Sequence, residues 1–188
     1  RQEKWQSALD ICNQLQLNAS TAPIGNYLSG MVLARKKDYP AAIDAMRKSL
    51  DKEPRAIEPL QALINLYLLQ KQAPAAIAYL EQQSKDHPDL THMKEYLAVL
   101  YRQTGKTDVA EKLLNDILAA DPKHISAYRE LAAVYDVQKQ RDRIEPLLLK
   151  GLQQNPDDTG LLVLLAETYQ AGGRDQLALG LELGLGQA

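Results

Sequence analysis

Apolar residues recur along this chain with a period of 34 residues. Four segments that read LINLY, LAVLY, LAAVY and LAETY each close with a tyrosine, at Tyr67, Tyr101, Tyr135 and Tyr169. Four prolines keep the same interval, at Pro54, Pro88, Pro122 and Pro156. A period of about 20 to 50 residues indicates an array of like supersecondary units, each burying its apolar face against its neighbours.

Residues 57–90 represent one such unit, and their pattern predicts two short antiparallel helices. The first helix is predicted from apolar residues at helical spacing, namely Leu60, Leu63, Ile64, Tyr67 and Leu68. The second is predicted from Ala76, Ile77 and Leu80. Pro74 lies at a first-turn position, where a missing N–H costs nothing. Pro88 disfavours the α conformation of the residue before it, so the second helix must stop there.

The period divides the chain into successive repeats that we expect to form one continuous domain. We predict the second helix of an incomplete repeat at 1–22, repeats at 23–56, 57–90, 91–124 and 125–158, and an irregular or truncated repeat at 159–188. Pro146 falls inside a predicted second helix, which it should kink or start late. Gly180, Gly184 and Gly186 make the final helix a poor one.

Two positions of the second helix predict how the helices pack. Small residues recur at one of them, Ala42, Ala76, Ala110 and Ala178, with Ile144 breaking the series. Large residues recur four positions later, at Met46, Leu80, Leu114 and Leu148. We expect the small residues to allow close approach of helices and the large ones to fill the space between units.

These residues resemble the tetratricopeptide repeat over essentially the whole chain. One unit shows the pattern at Leu131, Ala132, Tyr135, Leu148 and Pro156, and another at Gly30, Tyr39, Ala42 and Pro54. The resemblance implies an all-α fold, a right-handed α-solenoid of antiparallel helix pairs. The chain departs from the family at its usual early tryptophan, which is replaced by Asn26, Leu60, Lys94, Tyr128 and Leu162.

The resemblance also implies a binding groove lined by the first helices. The family's groove positions map to Tyr27, Met31, Asn65, Glu95, Tyr96, Arg102, Arg129 and Asp136, and also to Leu69, Val99, Ala133, Glu167 and Gln170. Tyr96 would supply an aromatic anchor, and Arg102 with Arg129 would hold a carboxylate of a peptide. The alternative is ordinary surface with salt bridges between helices. Only Asn65 matches the residues that clamp chaperone tails, which disfavours such tails as ligands.

Charge and chemistry motifs narrow the function further. The net charge is −2, with 22 basic and 24 acidic residues interspersed, which disfavours nucleic acid as a partner. No apolar run approaches the ~20 residues that span a bilayer, so we expect no membrane insertion by this segment. Cys12, the single cysteine, occupies an apolar repeat position and is expected to be buried.

Candidate catalytic and metal chemistry is sparse. No nucleophile elbow, P-loop, zinc or calcium motif occurs in the sequence, so we expect no enzymatic activity, no metal and no cofactor. His87 and His124 border the prolines between repeats and are expected to face solvent. His92 lies near the start of a first helix, on the side that would line the groove.

The leading hypothesis is therefore a non-catalytic scaffold that binds a peptide segment or a partner protein. The glutamine- and alanine-rich repeats resemble those of bacterial assemblies for exopolysaccharide secretion, pilus assembly or envelope biogenesis. Alternatives are the repeat region of a larger enzyme, such as a glycosyltransferase, and a structural module that associates end to end. The chain begins with Arg1, which favours a piece of a longer or processed protein, and periplasm and cytoplasm both stay open.

Overall fold

The computed structural model describes residues 2–185, and the side chains of residues 4–181. Within that range the chain forms α-helices and no β-strand. The helices are α1 (Gln2–Gln16), α2 (Ala22–Arg35), α3 (Tyr39–Lys52), α4 (Ile57–Leu69), α5 (Ala73–Asp86), α6 (Thr91–Gln103), α7 (Thr107–Ala120), α8 (Ile125–Val137), α9 (Ile144–Gln154), α10 (Thr159–Ala171) and α11 (Asp175–Leu185). None of these helices has the length and apolar composition needed to cross a lipid bilayer.

The helices keep the period that the sequence predicts. The first helices α4, α6, α8 and α10 begin at residues 57, 91, 125 and 159 and end at 69, 103, 137 and 171. The second helices α3, α5, α7 and α9 end at residues 52, 86, 120 and 154, each two residues before a repeated proline. The fold class is thus confirmed as an all-α solenoid of antiparallel helix pairs.

The chain divides into two compact units, residues 1–79 and 80–188. In the first unit, α1 packs on α2, α2 on α3 and α3 on α4. Gly30 allows a close approach there, since a Cβ at this position would lie 2.9 Å from the Met46 Cε atom. The Ser49 hydroxyl of α3 donates a hydrogen bond of 2.7 Å to the Pro23 carbonyl of α2.

In the second unit, each helix from α6 to α11 packs on the next in the chain. The first helices also contact one another, α6 with α8 and α8 with α10. These contacts form a layer of first helices on one side of the unit. Asp158 caps α10, where its carboxylate accepts a 2.8 Å hydrogen bond from the Leu161 N–H.

The core contains the residues that the period singles out. Tyr67, Tyr101, Tyr135 and Tyr169 are all buried. So are the small residues at 42, 76, 110 and 178 and the large residues at 46, 80, 114 and 148, whose side chains are fully enclosed. Cys12 is buried as predicted.

The structure departs from the period at the start of α9. A 3₁₀ turn, Arg141–Arg143, occupies the place where the equivalent helices α3, α5 and α7 have their first residues. The α-helix then begins at Ile144, so that Pro146 is its third residue, where no intrahelical N–H is required. The prediction that Pro146 delays this helix is confirmed. The last helix, α11, continues to Leu185, and Gly186 lies outside the described residues.

Candidate functional site

A pocket of about 550 Å³ lies between the first helices α8 and α10 of the second unit. One wall is formed by the 3₁₀ turn and the first residues of α9. Its apolar lining consists of Ala132, Ala133, Ile144, Leu164 and Ala171. Its charged lining consists of Arg129, Asp136, Arg141, Asp142, Glu145, Glu167 and Arg174. The volume lies within the range of small-ligand sites, roughly 300–1,000 Å³.

Helical periodicity explains how these side chains come together. Arg129, Ala132, Ala133 and Asp136 are spaced by three, four and seven residues along α8, which places them on one face of the helix. The α10 residues at 164, 167, 168 and 171 repeat that spacing. The pocket is therefore an elongated site bounded by two helix faces.

Ion pairs hold part of the charged lining in place. The Arg141 Nε atom lies 2.9 Å from the Asp136 carboxylate, and the Arg174 Nη1 atom lies 2.8 Å from Glu145. Both pairs are partly exposed, so each stabilises the fold by no more than about 1 kcal/mol. Within the side chains that the structure describes, Arg129, Asp142 and Glu167 form no ion pair.

Glu145 and Arg174 also enclose a repeated tyrosine beside the pocket. The Arg174 guanidinium lies over the Tyr169 ring, 4.5 Å from its centroid. Burial, and then the charge of Glu145, raise the pKa of Tyr169 above its ordinary value. This phenol therefore stays neutral at physiological pH and is a buried packing residue beside the pocket rather than an acid.

The structure brings together four residues that the sequence assigns to a groove. Arg129, Ala133, Asp136 and Glu167 all line the pocket. Two other assigned residues of α6 are instead in contact with other residues of the protein, Glu95 with His124 just before α8 and Arg102 with Glu130 of α8.

The contacts of α6 tie it to the start of the next helix pair. Arg102 donates a 3.1 Å hydrogen bond to the Glu130 carboxylate of α8, and the two side chains are largely buried. Glu95 contacts the His124 ring through its Nε2 atom. Arg102 and Glu95 thus form contacts within the protein, which agrees with the alternative that this surface carries salt bridges between helices.

The remaining predicted site residues are less informative about a ligand. Tyr96 of α6 is half-buried. In the first unit, Tyr27 and Met31 are half-buried on α2, and Asn65 is exposed on α4.

The expectation that His124 faces solvent is wrong. Its side chain is 24% exposed and lies between Glu95 and Asp121, with the Nδ1 atom 3.5 Å from the Asp121 carboxylate. The carboxylates of Glu95 in α6 and of Asp121 just after α7 both lie beside the imidazole, which a sequence pattern around one proline does not indicate.

Sequence reasoning missed the wall of the pocket that lies outside the first helices. Arg141, Asp142 and Glu145 belong to the 3₁₀ turn and the start of α9, and Arg174 follows α10. The available signal was Pro146, because a late helix start leaves these residues in a turn rather than on a regular helix.

The lining of this pocket is suited to recognition. In the part of the chain that the structure describes, no group of three or more His, Cys, Asp or Glu side chains is arranged to hold a metal ion. The pocket offers small apolar side chains and a rim of fixed charges, a combination that binds a side chain and orients its neighbours.

Two segments of the chain match sequence-family models described as tetratricopeptide repeat, at residues 33–95 and 91–134. Together they span residues 33–134, more than half of the chain. A comparison with curated protein sequences gives no match.

Several solved structures have similar folds. YrrB, a TPR protein with an unusual peptide-binding site, is 22% identical, with a TM-score of 0.57 over 85% of this chain and 82% of its own. TTC0263 of Thermus thermophilus is 22% identical, with a TM-score of 0.61 over 87% of this chain and 90% of its own. MamA from Desulfovibrio magneticus is 15% identical, with a TM-score of 0.59 over 84% of this chain and 89% of its own.

Proposed function

We propose that this chain, which belongs to the tetratricopeptide repeat family, is a non-catalytic scaffold that binds a peptide segment of a partner protein. The observation that carries the proposal is the pocket between α8 and α10, where residues assigned to a binding groove from sequence meet around an apolar floor. YrrB, a protein of similar fold, is described as having a peptide-binding site, which agrees with this role.

The shape of the pocket favours a peptide over a compact metabolite. Its two long walls are helix faces whose lining residues lie within eight-residue segments, from Arg129 to Asp136 and from Leu164 to Ala171. At 1.5 Å per residue such a face is about 10 Å long, which suits a few consecutive residues of a chain. Recognition by side-chain pockets in a groove is a common mode of peptide binding.

The test is selection of peptides from a random-sequence display library on the immobilised protein, followed by measurement of affinity with synthetic peptides. A pocket-closing variant carries Leu164→Arg and Gly172→Gln. Leu164 is half-buried and Gly172 has a negative φ, so both changes are compatible with the fold. The matched control is Val109→Arg, which adds an arginine at an exposed position of α7 that does not line the pocket.

We expect selected peptides to bind the wild type and the Val109→Arg variant equally, and to lose at least tenfold in affinity for the pocket-closing variant. Selection of no peptide, or equal binding by all three proteins, would overturn the proposal. Circular dichroism and thermal melting of each variant establish that a loss of affinity does not come from unfolding.

We place the scaffold within a bacterial multi-protein assembly, such as one for exopolysaccharide, pilus or envelope biogenesis. The support is the bacterial sources of proteins of similar fold. Affinity purification with wild-type, Val109→Arg and pocket-closing proteins tests this placement. The expected result is a partner from such an assembly that the first two retain and the third loses. A partner retained by all three would count against binding through this pocket.

A further inference from the structure

The pocket opens where two contacts of the preceding repeat are missing. Between α6 and α8, the Arg102 guanidinium is bonded to Glu130 at 3.1 Å. In the same region the Gln138 Nε2 atom donates a 3.2 Å hydrogen bond to Asp108, which lies at the start of α7. The first bond joins the first helices α6 and α8. The second joins the residue after α8 to the start of α7, on the same side as the layer of first helices.

One period later, the same positions cannot form either bond. Glu130 is replaced by Leu164, which has no polar atom to pair with the residue that replaces Arg102. Gln138 is replaced by Gly172, which has no side chain to donate to Asp142, the equivalent of Asp108. The space that these side chains would occupy is part of the pocket, whose lining includes Leu164, Gly172 and Asp142.

These replacements also change the charge that faces the pocket. Arg102 is replaced by Asp136, which pairs with Arg141, and Glu145 pairs with Arg174. The charged groups of the lining left without an ion pair in the described part of the chain are Asp142, Glu167 and Arg129. Two carboxylates against one guanidinium leave a net negative charge beside an apolar floor.

We infer that the pocket binds a peptide segment in which a bulky apolar residue, such as leucine, methionine or phenylalanine, stands next to lysine or arginine. The apolar side chain fills the floor between Ala133 and Leu164, and the cation pairs with Asp142 and Glu167. This inference rests on the proposed function and specifies the class of ligand. A basic residue complements the unpaired carboxylates, and the net negative charge of the pocket also favours its approach.

The charge preference can be tested with a peptide that the library selection yields, and with its analogues. In one analogue the lysine or arginine becomes glutamine, and in another it becomes glutamate. In a third the apolar residue becomes alanine. We expect the glutamine analogue to lose up to about fivefold in affinity, since an exposed ion pair contributes at most about this factor. The glutamate and alanine analogues should lose more.

Variants of the protein test the carboxylates directly. Asp142→Asn and Glu167→Gln keep the size of each side chain and remove its charge. Each should therefore lower the affinity for the basic peptide by up to about fivefold, and by less at high salt. Arg129→Gln is the matched control at the same pocket. Because it removes the unpaired cation, it should leave the affinity for the basic peptide unchanged or raise it.

The outcomes separate this inference from the proposed function. Peptides that bind in the pocket without any preference for basic residues, or with a preference for acidic ones, would overturn the inference and leave the scaffold role intact. Failure to select any pocket-dependent peptide would overturn both. Loss of binding on Arg129→Gln, with no effect of Glu167→Gln and Asp142→Asn, would also contradict the assignment of the cation to the carboxylates.

Discussion

The first helix of each pair ends through a single residue in the left-handed region. Positive φ values occur at Lys37, Lys71, Gly105, Lys139 and Gly173, which are spaced by 34 residues. In the loop after α4, the Gln72 N–H bonds to the Tyr67 carbonyl at 2.8 Å and the Lys71 N–H to Leu68 at 2.9 Å. This is the Schellman arrangement, and it favours glycine because L-residues are strained at that φ.

Replacing the strained lysines with glycine should therefore stabilise the protein. Lys71 has a φ of 57° and Lys139 a φ of 60°, and relief of this strain should raise the free energy of unfolding by about 1 kcal/mol at each site. That corresponds to a rise of about 2–4 °C in the melting temperature for a chain of this size. Thermal denaturation of Lys71→Gly and Lys139→Gly measures the effect.

The reverse change at Gly105 provides the control. A Cβ built there meets no atom within 4 Å, so Gly105→Ala changes only the backbone preference. We expect it to lower the free energy of unfolding by about 1 kcal/mol. A melting temperature unchanged in all three variants would contradict the assignment of strain to this loop position.

Three of the repeated tyrosines do more than fill the core, since the hydroxyl groups of Tyr101, Tyr135 and Tyr169 contact carboxylates of neighbouring helices. Tyr101 donates a hydrogen bond to Glu81. Burial, and then Glu81, raise the pKa of Tyr101 from 10.0 to about 12. A folded-state pKa above the unfolded value means that this tyrosine stabilises the fold below pH 10 and loses that contribution as pH rises toward 12.

We predict that the free energy of unfolding falls between pH 10 and pH 12, and that Tyr101→Phe reduces the steepness of the fall. Urea denaturation at several pH values in this range gives the slope for each protein. Glu81→Gln should give an intermediate slope, because burial of the phenol remains when the charge is removed. Identical slopes for wild type and Tyr101→Phe would rule out Tyr101 as a source of the pH dependence.

At the scale of the element, α9 differs from the other second helices in its start. Pro146 has no N–H and fixes its own φ, so it fits the first turn of a helix but not a position two turns in. A helix beginning at residue 141, as the period requires, would place Pro146 in its interior. The chain instead forms a 3₁₀ turn over 141–143 and begins the α-helix at Ile144.

Removing the proline should extend α9 toward residue 141. In Pro146→Ala, the amide at 146 can donate within a longer helix, and we expect slower hydrogen exchange at residues 145–147. Exchange followed by mass spectrometry of fragments that cover this segment measures the change. Pro40→Ala in α3 is the matched control, because Pro40 lies within the first turn and its removal adds no hydrogen bond. Equal exchange of wild type and Pro146→Ala in this segment would show that another residue sets the start of α9.

At the scale of the whole molecule, the sequence is sufficient to predict the features that repeat every 34 residues. The tyrosine interval located the buried faces, the repeated prolines located the ends of the second helices, and Pro146 indicated the late helix. The repeat period does not predict individual polar contacts between side chains. The contacts of Glu95 with His124 and of Arg102 with Glu130 depend on the side-chain conformations of two residues about 30 positions apart. The sequence analysis does not predict the pocket, because the pocket results from two missing contacts. Leu164 and Gly172 cannot form the hydrogen bonds that Glu130 and Gln138 form in the preceding repeat.

The periodic core also determines where the protein is most sensitive to substitution. A helix pair is stable only when its buried side chains fill the space against adjacent helices, and Leu131 of α8 is fully enclosed. Leu131→Ala should lower the free energy of unfolding by about 2–5 kcal/mol and the melting temperature by several degrees. Leu149→Ala is the control in the same repeat, since Leu149 is 42% exposed and leaves no cavity. Thermal scans in which Leu131→Ala melts with the wild type would show that the tyrosine period does not identify the core.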